Sequence, residues 1–307
     1  MKVLFFGSSP YCLPLLSTLS KNTNLVGIIS TTRESWQQKK VPVWTVRNKE
    51  ELKGTESKIA SLHPDIAIVS DFGLIIPKEI FEIPKYKTLN IHFSKLPKYR
   101  GASPIQYTIL HGEKSVWISV QLLRETLDTG DIIWQKEIPL FGFETTGDLY
   151  PKLFEITSNH ITDILQRFIH GEIIPLRQNE KASSYTRKLT RDDGFLSSTL
   201  FLGLLKGEKI NWSNSQVLFE GLSAEENPTK RVEQAVRAFF PWPGVWTEIQ
   251  ITVNSKQLTK KLKILKAHLE ASRLVPDIVQ LEGKKPVSWK QFLEGYPGTI
   301  DNPSSFH

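Results

Sequence analysis

Cysteine is almost absent from this sequence of 307 residues, in which Cys12 is the single thiol. A disulfide framework is therefore excluded, and a zinc site built on cysteines is disfavoured. Such cysteine usage is typical of a reducing compartment, so we expect the protein in the cytoplasm. Long apolar runs are lacking too, because stretches such as Val3–Phe6 are far shorter than the roughly 20 residues that a membrane helix needs. The first residues also lack the apolar length and the cleavage site of a signal peptide.

Glycine-rich loops that bind phosphates are missing as well. The first predicted strand is followed by Gly7-Ser8-Ser9-Pro10, which has one glycine where the dinucleotide-binding fingerprint requires three. We therefore reject NAD or FAD binding, and no Gly-Lys-Ser/Thr phosphate loop is present either. The seven histidines are scattered without an HExxH pattern, so no catalytic metal is expected. The absence of Gly-x-Ser-x-Gly argues against a covalent acyl-enzyme.

Positive charge exceeds negative charge by a modest amount, with 39 Lys and Arg against 32 Asp and Glu, or a net charge of +7. This excess permits an anionic partner without requiring one. The basic residues concentrate between Lys256 and Lys290, where nine of them face only three acids. From charge alone two interpretations stay open: an ordinary solvated face, or a surface that contacts a phosphate backbone.

Short apolar runs alternate with helical patterns in the first part of the chain. The predicted strands are Lys2–Phe6, Leu25–Ser30, Ile66–Ser70, Thr88–His92, Val116–Leu123 and Ile132–Pro139. Leucines at helical spacing predict a helix over Tyr11–Ser20, and a longer apolar stripe predicts one over Gly147–Gly171. Strands that alternate with helices predict a Rossmann-like α/β domain with a parallel sheet.

The pattern changes after Gly171. Gln178–Arg191 is polar and is predicted to be a linker, and Pro228–Phe239 is predicted to be a helix. Strand-like runs surround that helix, at Val245–Val253, Lys261–Ala267 and Asp277–Leu281. They predict a small β-rich barrel that resembles an oligonucleotide-binding (OB) fold. We therefore predict a catalytic domain over residues 1–180, a linker over 181–205 and an OB-like domain over 206–307.

The segment from Asn90 to Asp131 carries the residues suited to chemistry. Asn90 and His92 are two positions apart at the end of a strand, so they share one face, at the sheet edge where ligands bind in α/β folds. Asp128 lies in a turn from which it can reach the same crevice. An amide and an imidazole can donate to the oxyanion of a tetrahedral intermediate, and a carboxylate can accept a proton from an attacking amine.

The residue types alone leave structural explanations open. An isolated Asn-x-His is more often structural than catalytic, and Asp-Thr-Gly is usually a turn. Aspartic proteases contain the same Asp-Thr-Gly triplet, but they need a second copy of it in an all-β chain. The alternating pattern of strands and helices here does not fit that alternative.

The motifs become specific when they are taken together. Asn90–Gln106 has the pattern Asn-x-His-x-Ser-x-Leu-Pro-x-aromatic-Arg-Gly-Ala-x-Pro-Ile-Gln, and Leu127–Asp131 has Leu-Asp-Thr-Gly-Asp. With these motifs the chain resembles the formyltransferase family that uses 10-formyltetrahydrofolate, and within it the branch whose acceptor is methionyl-tRNA. Further matching segments are residues 2–7, 72–77, 184–189, 193–195, 237–244 and 281–286.

The resemblance implies a reaction and roles for matching residues. The formyl group of 10-formyltetrahydrofolate, a co-substrate, would be transferred to the free α-amine of methionine on initiator methionyl-tRNA, for translation initiation. The implied catalytic residues are Asn90, His92 and Asp128. The implied folate-binding residues are Ser94, Lys95, Leu96 and Pro97, with Phe72, Gly73, Leu74, Ile75 and the backbone of 127–131 against the pterin. Core packing explains Phe72 and Leu74 equally well.

The resemblance also implies contacts with tRNA. The expected residues are Arg33, Lys39 and Lys40 in the loop after the second strand, and Lys260, Lys261, Lys263, Lys284 and Lys285 in the second domain. That loop is shorter than is usual in the family. Residues 196–208, which follow the linker motifs, are an additional stretch that the family normally lacks. Whether the barrel is complete stays open. We expect a monomer that binds one tRNA and one folate, with no membrane partner and no metal.

The same residues are compatible with two other functions. A formyltransferase that acts on an amino sugar nucleotide would share Asn90, His92 and Asp128. The Phe-Pro-Trp-Pro-Gly motif at residues 240–244 and the basic tract favour tRNA instead. A folate- or RNA-binding protein without catalytic activity is disfavoured because all three catalytic residue types are present.

Overall fold

A computed structural model describes residues 1–32, 41–210, 217–220, 227–253 and 256–299. The chain forms two compact units. The first unit comprises Met1–Pro104, Ser115–Pro139 and Asp148–Thr186, and the second comprises Ile105–Lys114, Leu140–Gly147 and Arg187–His307. The domain limits predicted from the sequence stay a prediction. The two units follow different limits, because Ile105–Lys114 and Leu140–Gly147, which lie within the predicted catalytic domain, belong to the second unit. Arg33, Lys39 and Lys40 lie outside the described residues.

The first unit is built around a seven-stranded sheet. Its strands, with a separate short pair (β6 and β9), are β1 (Lys2–Phe6), β2 (Asn24–Ser30), β3 (Val43–Thr45), β4 (Ile66–Val69), β5 (Thr88–His92), β6 (Arg100–Gly101), β7 (Ser115–Leu122), β8 (Ile132–Pro139) and β9 (Tyr185–Thr186). The helices are α1 (Leu13–Asn22), α2 (Lys49–Lys53), α3 (Glu56–Ser61) and α4 (Lys78–Phe81), with α5 (Pro104–Leu110) and α6 (Thr146–Ile169) crossing a unit boundary.

The strand order in the main sheet is β3-β2-β1-β4-β5-β7-β8. The first five strands of this order pair in parallel, whereas β7 and β8 are antiparallel to their neighbours. The predicted Rossmann-like α/β architecture is confirmed, and the sheet is mixed rather than wholly parallel. Nearly continuous apolar runs form the central strands because both faces of the sheet are covered, as in β4, where all four residues are buried.

The second unit contains a five-stranded sheet with the order β10-β11-β12-β13-β14. Its elements are β10 (Phe195–Leu196), α7 (Ser198–Lys206), α8 (Pro228–Ala238), β11 (Val245–Val253), β12 (Lys256–Glu270), β13 (Arg273–Leu281), β14 (Val287–Ser288) and α9 (Trp289–Gly295). The pairs from β11 to β14 are antiparallel, and the prediction of a small β-rich second domain is confirmed. On β12 Leu262 and Ile264 are buried while Lys261 and Lys263 are exposed, as the two-residue period of a strand requires.

The additional residues 196–208 include the whole of α7, which helps to build the core of the second unit. The Ser197 hydroxyl accepts a hydrogen bond from the Leu200 N–H at the start of the helix, and Gly207 ends it in a left-handed conformation. Phe201 and Leu204 are fully buried, and the helix packs on β11 and β13. Within the described ranges no helix is both long and apolar enough to cross a bilayer.

Candidate active site

Asn90 and His92 lie at the end of β5, between parallel β4 and antiparallel β7. Asn90 is opposite Gln121 of β7, and His92 is opposite Ser119. Asn90 is half-buried and His92 is only 7% exposed. The strand therefore fixes both side chains at the carboxyl edge of the parallel strands, as the sequence predicts.

Asp128 completes the group of three. One of its carboxylate oxygens, Oδ1, accepts hydrogen bonds from the side-chain amides of Asn90 at 3.0 Å and Gln121 at 2.8 Å. The other, Oδ2, accepts the backbone N–H of Gly101 at 2.8 Å and lies 3.6 Å from Nδ1 of His92. The carboxylate is 7% exposed. The structure thus brings together the amide, imidazole and carboxylate that the sequence predicted, and adds Gln121 and the Gly101 amide as further donors.

The two nitrogens of His92 both face protein atoms. Nε2 lies 2.8 Å from the backbone carbonyl of Tyr99. Because a carbonyl oxygen can only accept, Nε2 carries the hydrogen of that bond. Nδ1 faces Asp128, so in this arrangement the ring has no nitrogen directed at an open oxyanion position. The amide nitrogen of Asn90 differs, since it has two hydrogens and the bond to Asp128 uses only one.

Two glycines allow the backbone to approach closely around Asp128. A Cβ atom on Gly130 would overlap the carbonyl oxygen of Leu122, and a Cβ atom on Gly101 would overlap that of Thr186. Gly101 also has a φ of +101°, a conformation that favours glycine. The Leu-Asp-Thr-Gly and Arg-Gly motifs therefore have a steric reason in this fold.

A buried polar network that the sequence does not predict lies behind Asp128. Arg100 is fully buried, and its guanidinium donates to Oε1 of Gln178 and to the carboxylate of Glu180. The hydrogen bond to Glu180 raises the pKa of Arg100, and Tyr185 raises it further, while burial opposes them. Gln178 in turn donates to backbone carbonyls of the Asp128 turn. Arg100 belongs to a recognisable motif, whereas Gln178 begins the polar stretch Gln178–Arg191, in which no sequence pattern marks it as a site residue.

The predicted folate segment Ser94–Pro97 is held both by its own turn and by neighbouring strands, because the Ser119 hydroxyl donates to the Ser94 carbonyl and the Gln135 amide donates to the Leu96 carbonyl. The Ser94 hydroxyl donates to the Lys98 carbonyl at 2.7 Å, and Ser94 and Leu96 are both buried. The Lys95 side chain is exposed, with its ammonium 4.5 Å from the centre of the Trp117 ring. A ligand can therefore contact Lys95 and Pro97 more readily than the buried side chains of Ser94 and Leu96.

The second predicted folate segment, Phe72–Ile75, divides into core and surface residues. Phe72 is buried and packs edge-on against Phe6 at 5.4 Å, and Leu74 packs against the same core cluster. Core packing therefore accounts for both side chains. Gly73 turns the chain with a φ of +85°, and Ile75 is 71% exposed. Gly73 and Ile75 are the members of this segment that a ligand can reach.

The predicted tRNA contacts of the second unit cluster around β12. Lys261 and Lys263 are exposed on one face of the strand, and Lys260 is half-buried. The turn that carries exposed Lys284 and Lys285 lies beside them, because the Glu282 N–H donates to the Lys261 carbonyl. The Lys261 ammonium lies 4.5 Å from the centre of the Trp246 ring. Four lysines thus occupy adjoining positions at one end of the β12–β13 pair.

Cys12 has the surroundings of a structural residue rather than of a nucleophile. Its thiol is buried, and it donates to the Ser70 carbonyl. Burial raises the pKa of the thiol, and the charge of Asp71 raises it further. The thiolate that nucleophilic catalysis requires is therefore disfavoured. Among the residues that the structure describes, no three His, Cys, Asp or Glu side chains are grouped to hold a metal ion.

An amide, an imidazole and a carboxylate that lie together at this sheet edge suit an enzyme that transfers a group between two substrates. The model of the formyl transferase family matches residues 12–165, half of the chain, and the chain belongs to this family of formyl-transferring enzymes. Among its relatives, the methionyl-tRNA formyltransferase of Clostridium novyi (strain NT) is 26% identical, in an alignment that covers 96% of this chain and 97% of that protein.

Solved structures share the fold. The methionyl-tRNA formyltransferase from Clostridium thermocellum has a TM-score of 0.56 at 18% identity and covers 92% of this chain and 98% of that one. A sugar 3N-formyl transferase, solved in the presence of dTDP and 5-N-formyl-THF, has a TM-score of 0.58 at 19% identity and covers 88% and 87%. At this level of identity the two structures establish the fold, and they do not distinguish between acceptors.

Proposed function

We propose that the protein transfers the formyl group of 10-formyltetrahydrofolate to the α-amine of methionine on initiator methionyl-tRNA. The chemistry is supported by the group that half-buried Asn90 forms with buried His92 and Asp128. The acceptor is supported by the relative from Clostridium novyi, which bears the name of this activity and aligns over 96% of the chain, both units included.

The proposed reaction is a direct transfer. The neutral α-amine attacks the formyl carbon, so that a C–N bond forms and the carbonyl oxygen becomes an oxyanion. The second amide hydrogen of Asn90 is available to stabilise that oxyanion. The bond between the formyl carbon and N10 of the folate then breaks, and the carbonyl forms again. The amine loses one proton during the reaction, and N10 gains one.

Asp128 and His92 are proposed to move that proton. The carboxylate Oδ2 lies beside Nδ1 of His92, so the pair offers two adjacent positions for a proton taken from the amine. Nε2 of His92 is occupied by Tyr99, and that bond fixes the ring orientation. The role of His92 in this proposal is thus to orient and assist Asp128, and direct donation to the oxyanion is assigned to Asn90.

The folate is a co-substrate, and its flat ring is proposed to contact exposed apolar side chains of residues 72–75 and 127. Ile75 and Leu127 are 71% and 55% exposed, and Leu127 directly precedes Asp128 in the turn. Apolar side chains beside backbone donors and acceptors suit a flat, amide-like heterocycle. Lys95 is exposed in the other proposed folate segment. Positioning two large substrates would supply much of the rate enhancement.

The lysines of the second unit are proposed to bind the tRNA backbone. Lys261, Lys263, Lys284 and Lys285 are exposed and adjoining, as sequence-independent contacts with phosphates require. An enzyme that acts on an amino sugar nucleotide has no need for such a surface. We further propose that the protein acts as a monomer, which light scattering of the purified protein tests.

The test uses purified protein, 10-formyltetrahydrofolate and methionyl initiator tRNA, with amino sugar nucleotides assayed in parallel. Formyl-methionyl-tRNA is the expected product, and binding to the tRNA should weaken steeply as salt is added. Formylated sugar together with unmodified tRNA would refute the proposed acceptor while leaving the family assignment intact. No formyl transfer to any acceptor would refute the catalytic proposal.

A further inference from the structure

Gln178 makes an unusual number of contacts for a residue in a segment of irregular structure. It is buried, and its amide nitrogen donates to the backbone carbonyls of Asp128 at 2.9 Å and Gly130 at 2.7 Å. The same nitrogen lies 3.2 Å from Oε1 of Gln121. All three acceptors belong to the turn that carries Asp128 or to the side chain that contacts its carboxylate.

Arg100 determines which way the amide of Gln178 points. A guanidinium can only donate, and Nε and Nη2 of Arg100 both donate to Oε1 of Gln178, at 3.1 and 2.8 Å. The oxygen of Gln178 must therefore face Arg100, and its NH₂ group must face the turn. The same logic orients Gln121, whose oxygen accepts from Gln178 and whose NH₂ group donates to Oδ1 of Asp128.

The turn needs such support because its backbone is strained. Asp128 has a φ of +54°, in the left-handed region that L-residues other than glycine seldom adopt. A conformation of this kind persists only where surrounding contacts hold it. Gln178 holds the carbonyl of Asp128 itself and that of Gly130, two residues further on.

We propose that Gln178 is a positioning residue for the formyl transfer. By donating to both carbonyls, it holds the turn in the conformation that places the Asp128 carboxylate beside Asn90 and His92. Arg100 gives the Gln178 amide its direction. The inference rests on the proposed function for the role of Asp128, whereas the clamp on the turn is a property of the fold.

A matched pair of variants separates positioning from simple pairing with Arg100. Gln178→Glu keeps the size and the oxygen that accepts from Arg100, but it removes the NH₂ donor that holds the turn. Gln178→Met keeps the approximate volume and removes both functions. We expect kcat to fall on the order of 10-fold to 100-fold in both variants. KM for the tRNA should stay within about twofold, because none of the proposed tRNA contacts lies on this turn, whereas KM for the folate should rise, because the backbone of the loosened turn is also proposed to hold the pterin. Lys181→Ala, an exposed neighbour, is the control and should behave like wild type.

Hydrogen exchange supplies a readout that does not depend on turnover. Amide hydrogens of residues 123–131 should exchange faster in both variants than in wild type, with the melting temperature of Gln178→Glu within a few degrees of wild type. Wild-type kcat and wild-type exchange in Gln178→Glu would overturn the inference, since pairing with Arg100 would then be the whole role. If wild-type protein forms no formyl-methionyl-tRNA, the proposed function fails separately, and the exchange data still decide on the clamp.

Discussion

The negative charge of Asp128 is buried, whereas the positive charges of the lysines on and beside β12 are exposed to solvent. The Asp128 carboxylate is buried and accepts three hydrogen bonds, each from a different part of the first unit. Lys261, Lys263, Lys284 and Lys285 are exposed on strand and turn positions of the second unit. The first arrangement allows one geometry, whereas the second presents positive charge without fixing where each ammonium group lies.

The difference matches the two tasks proposed for these regions. A reacting amine and formyl carbon must be aligned to a fraction of an ångström, so each supporting bond matters and a lost partner leaves a buried polar group unsatisfied. A phosphate backbone is a repeated charge, so binding can be shared among flexible lysines and is screened by salt. We therefore expect few residues with large effects in the first region and many with small effects in the second.

Removing a member of the Asp128 group should have the largest effect. Asp128→Asn and Asn90→Ala are each expected to lower kcat by about two orders of magnitude or more, because a proton acceptor or an oxyanion donor is lost. Affinity for tRNA, measured by filter binding, should not change. Asp163→Asn is the control, since this exposed carboxylate on α6 forms only a surface ion pair with Arg167. Near-normal turnover in Asp128→Asn would show that the buried group is structural.

Removing lysines from β12 should have a moderate effect of a different kind. The double variant Lys261→Ala/Lys263→Ala is expected to weaken tRNA binding, and each lost phosphate contact should reduce the slope of log affinity against log salt by about one. Turnover at saturating tRNA should remain normal. Lys21→Ala, an exposed lysine of the first unit, should change neither quantity. An unchanged salt slope in the double variant would show that this face is merely solvated.

The smallest expected effect is on stability, from removal of the buried carboxylate of Asp193 in the second unit. Burial alone would raise the pKa of Asp193, but hydrogen bonds from Arg187 and Thr190 outweigh it and hold the pKa below the usual 3.8. The resulting stability is present above about pH 4 and is lost as the pH falls through the lowered pKa. Asp193→Asn should therefore lower the melting temperature by a few degrees at pH 7. The difference from wild type should shrink on acidification below pH 4, and a difference independent of pH would contradict the ion-pair explanation.

The sequence predicts the elements of the first unit well because their apolar runs are bounded by turn residues. Thr88–His92 and Ile132–Pro139 are observed as strands with the predicted limits. The antiparallel pairing of β7 with β5 was not predicted, since a strand buried on both faces has a similar composition in either direction, whereas the short connection between β7 and β8 requires the antiparallel pairing that is observed. In the second unit β12 extends beyond the predicted Lys261–Ala267 to Lys256–Glu270, because its ends pair with neighbours without an apolar pattern of their own.

The candidate site was predictable only where its residues are close in sequence or belong to a motif. Asn90 and His92 share a strand face, and Asp128 lies in a recognisable turn. Gln178 is 50 residues away from Asp128 and lies in a polar stretch, so its hydrogen bonds depend on tertiary contacts that no local pattern contains. Gln121 was included in a predicted strand, but only the structure identifies its partner as the carboxylate of Asp128.

The discontinuous make-up of the second unit limits how the chain can be recombined with that of a relative. Residues 140–147 belong to this unit, and there Thr146 donates to the Ala238 carbonyl and Gly147 to the Phe240 carbonyl. A chimera that takes residues 187–307 from a relative would join the end of α8 to a foreign loop. A chimera that also takes residues 105–114 and 140–147 keeps these pairings within one parent. We expect the second chimera to melt at the higher temperature, so a modular exchange must follow three segments rather than one cut.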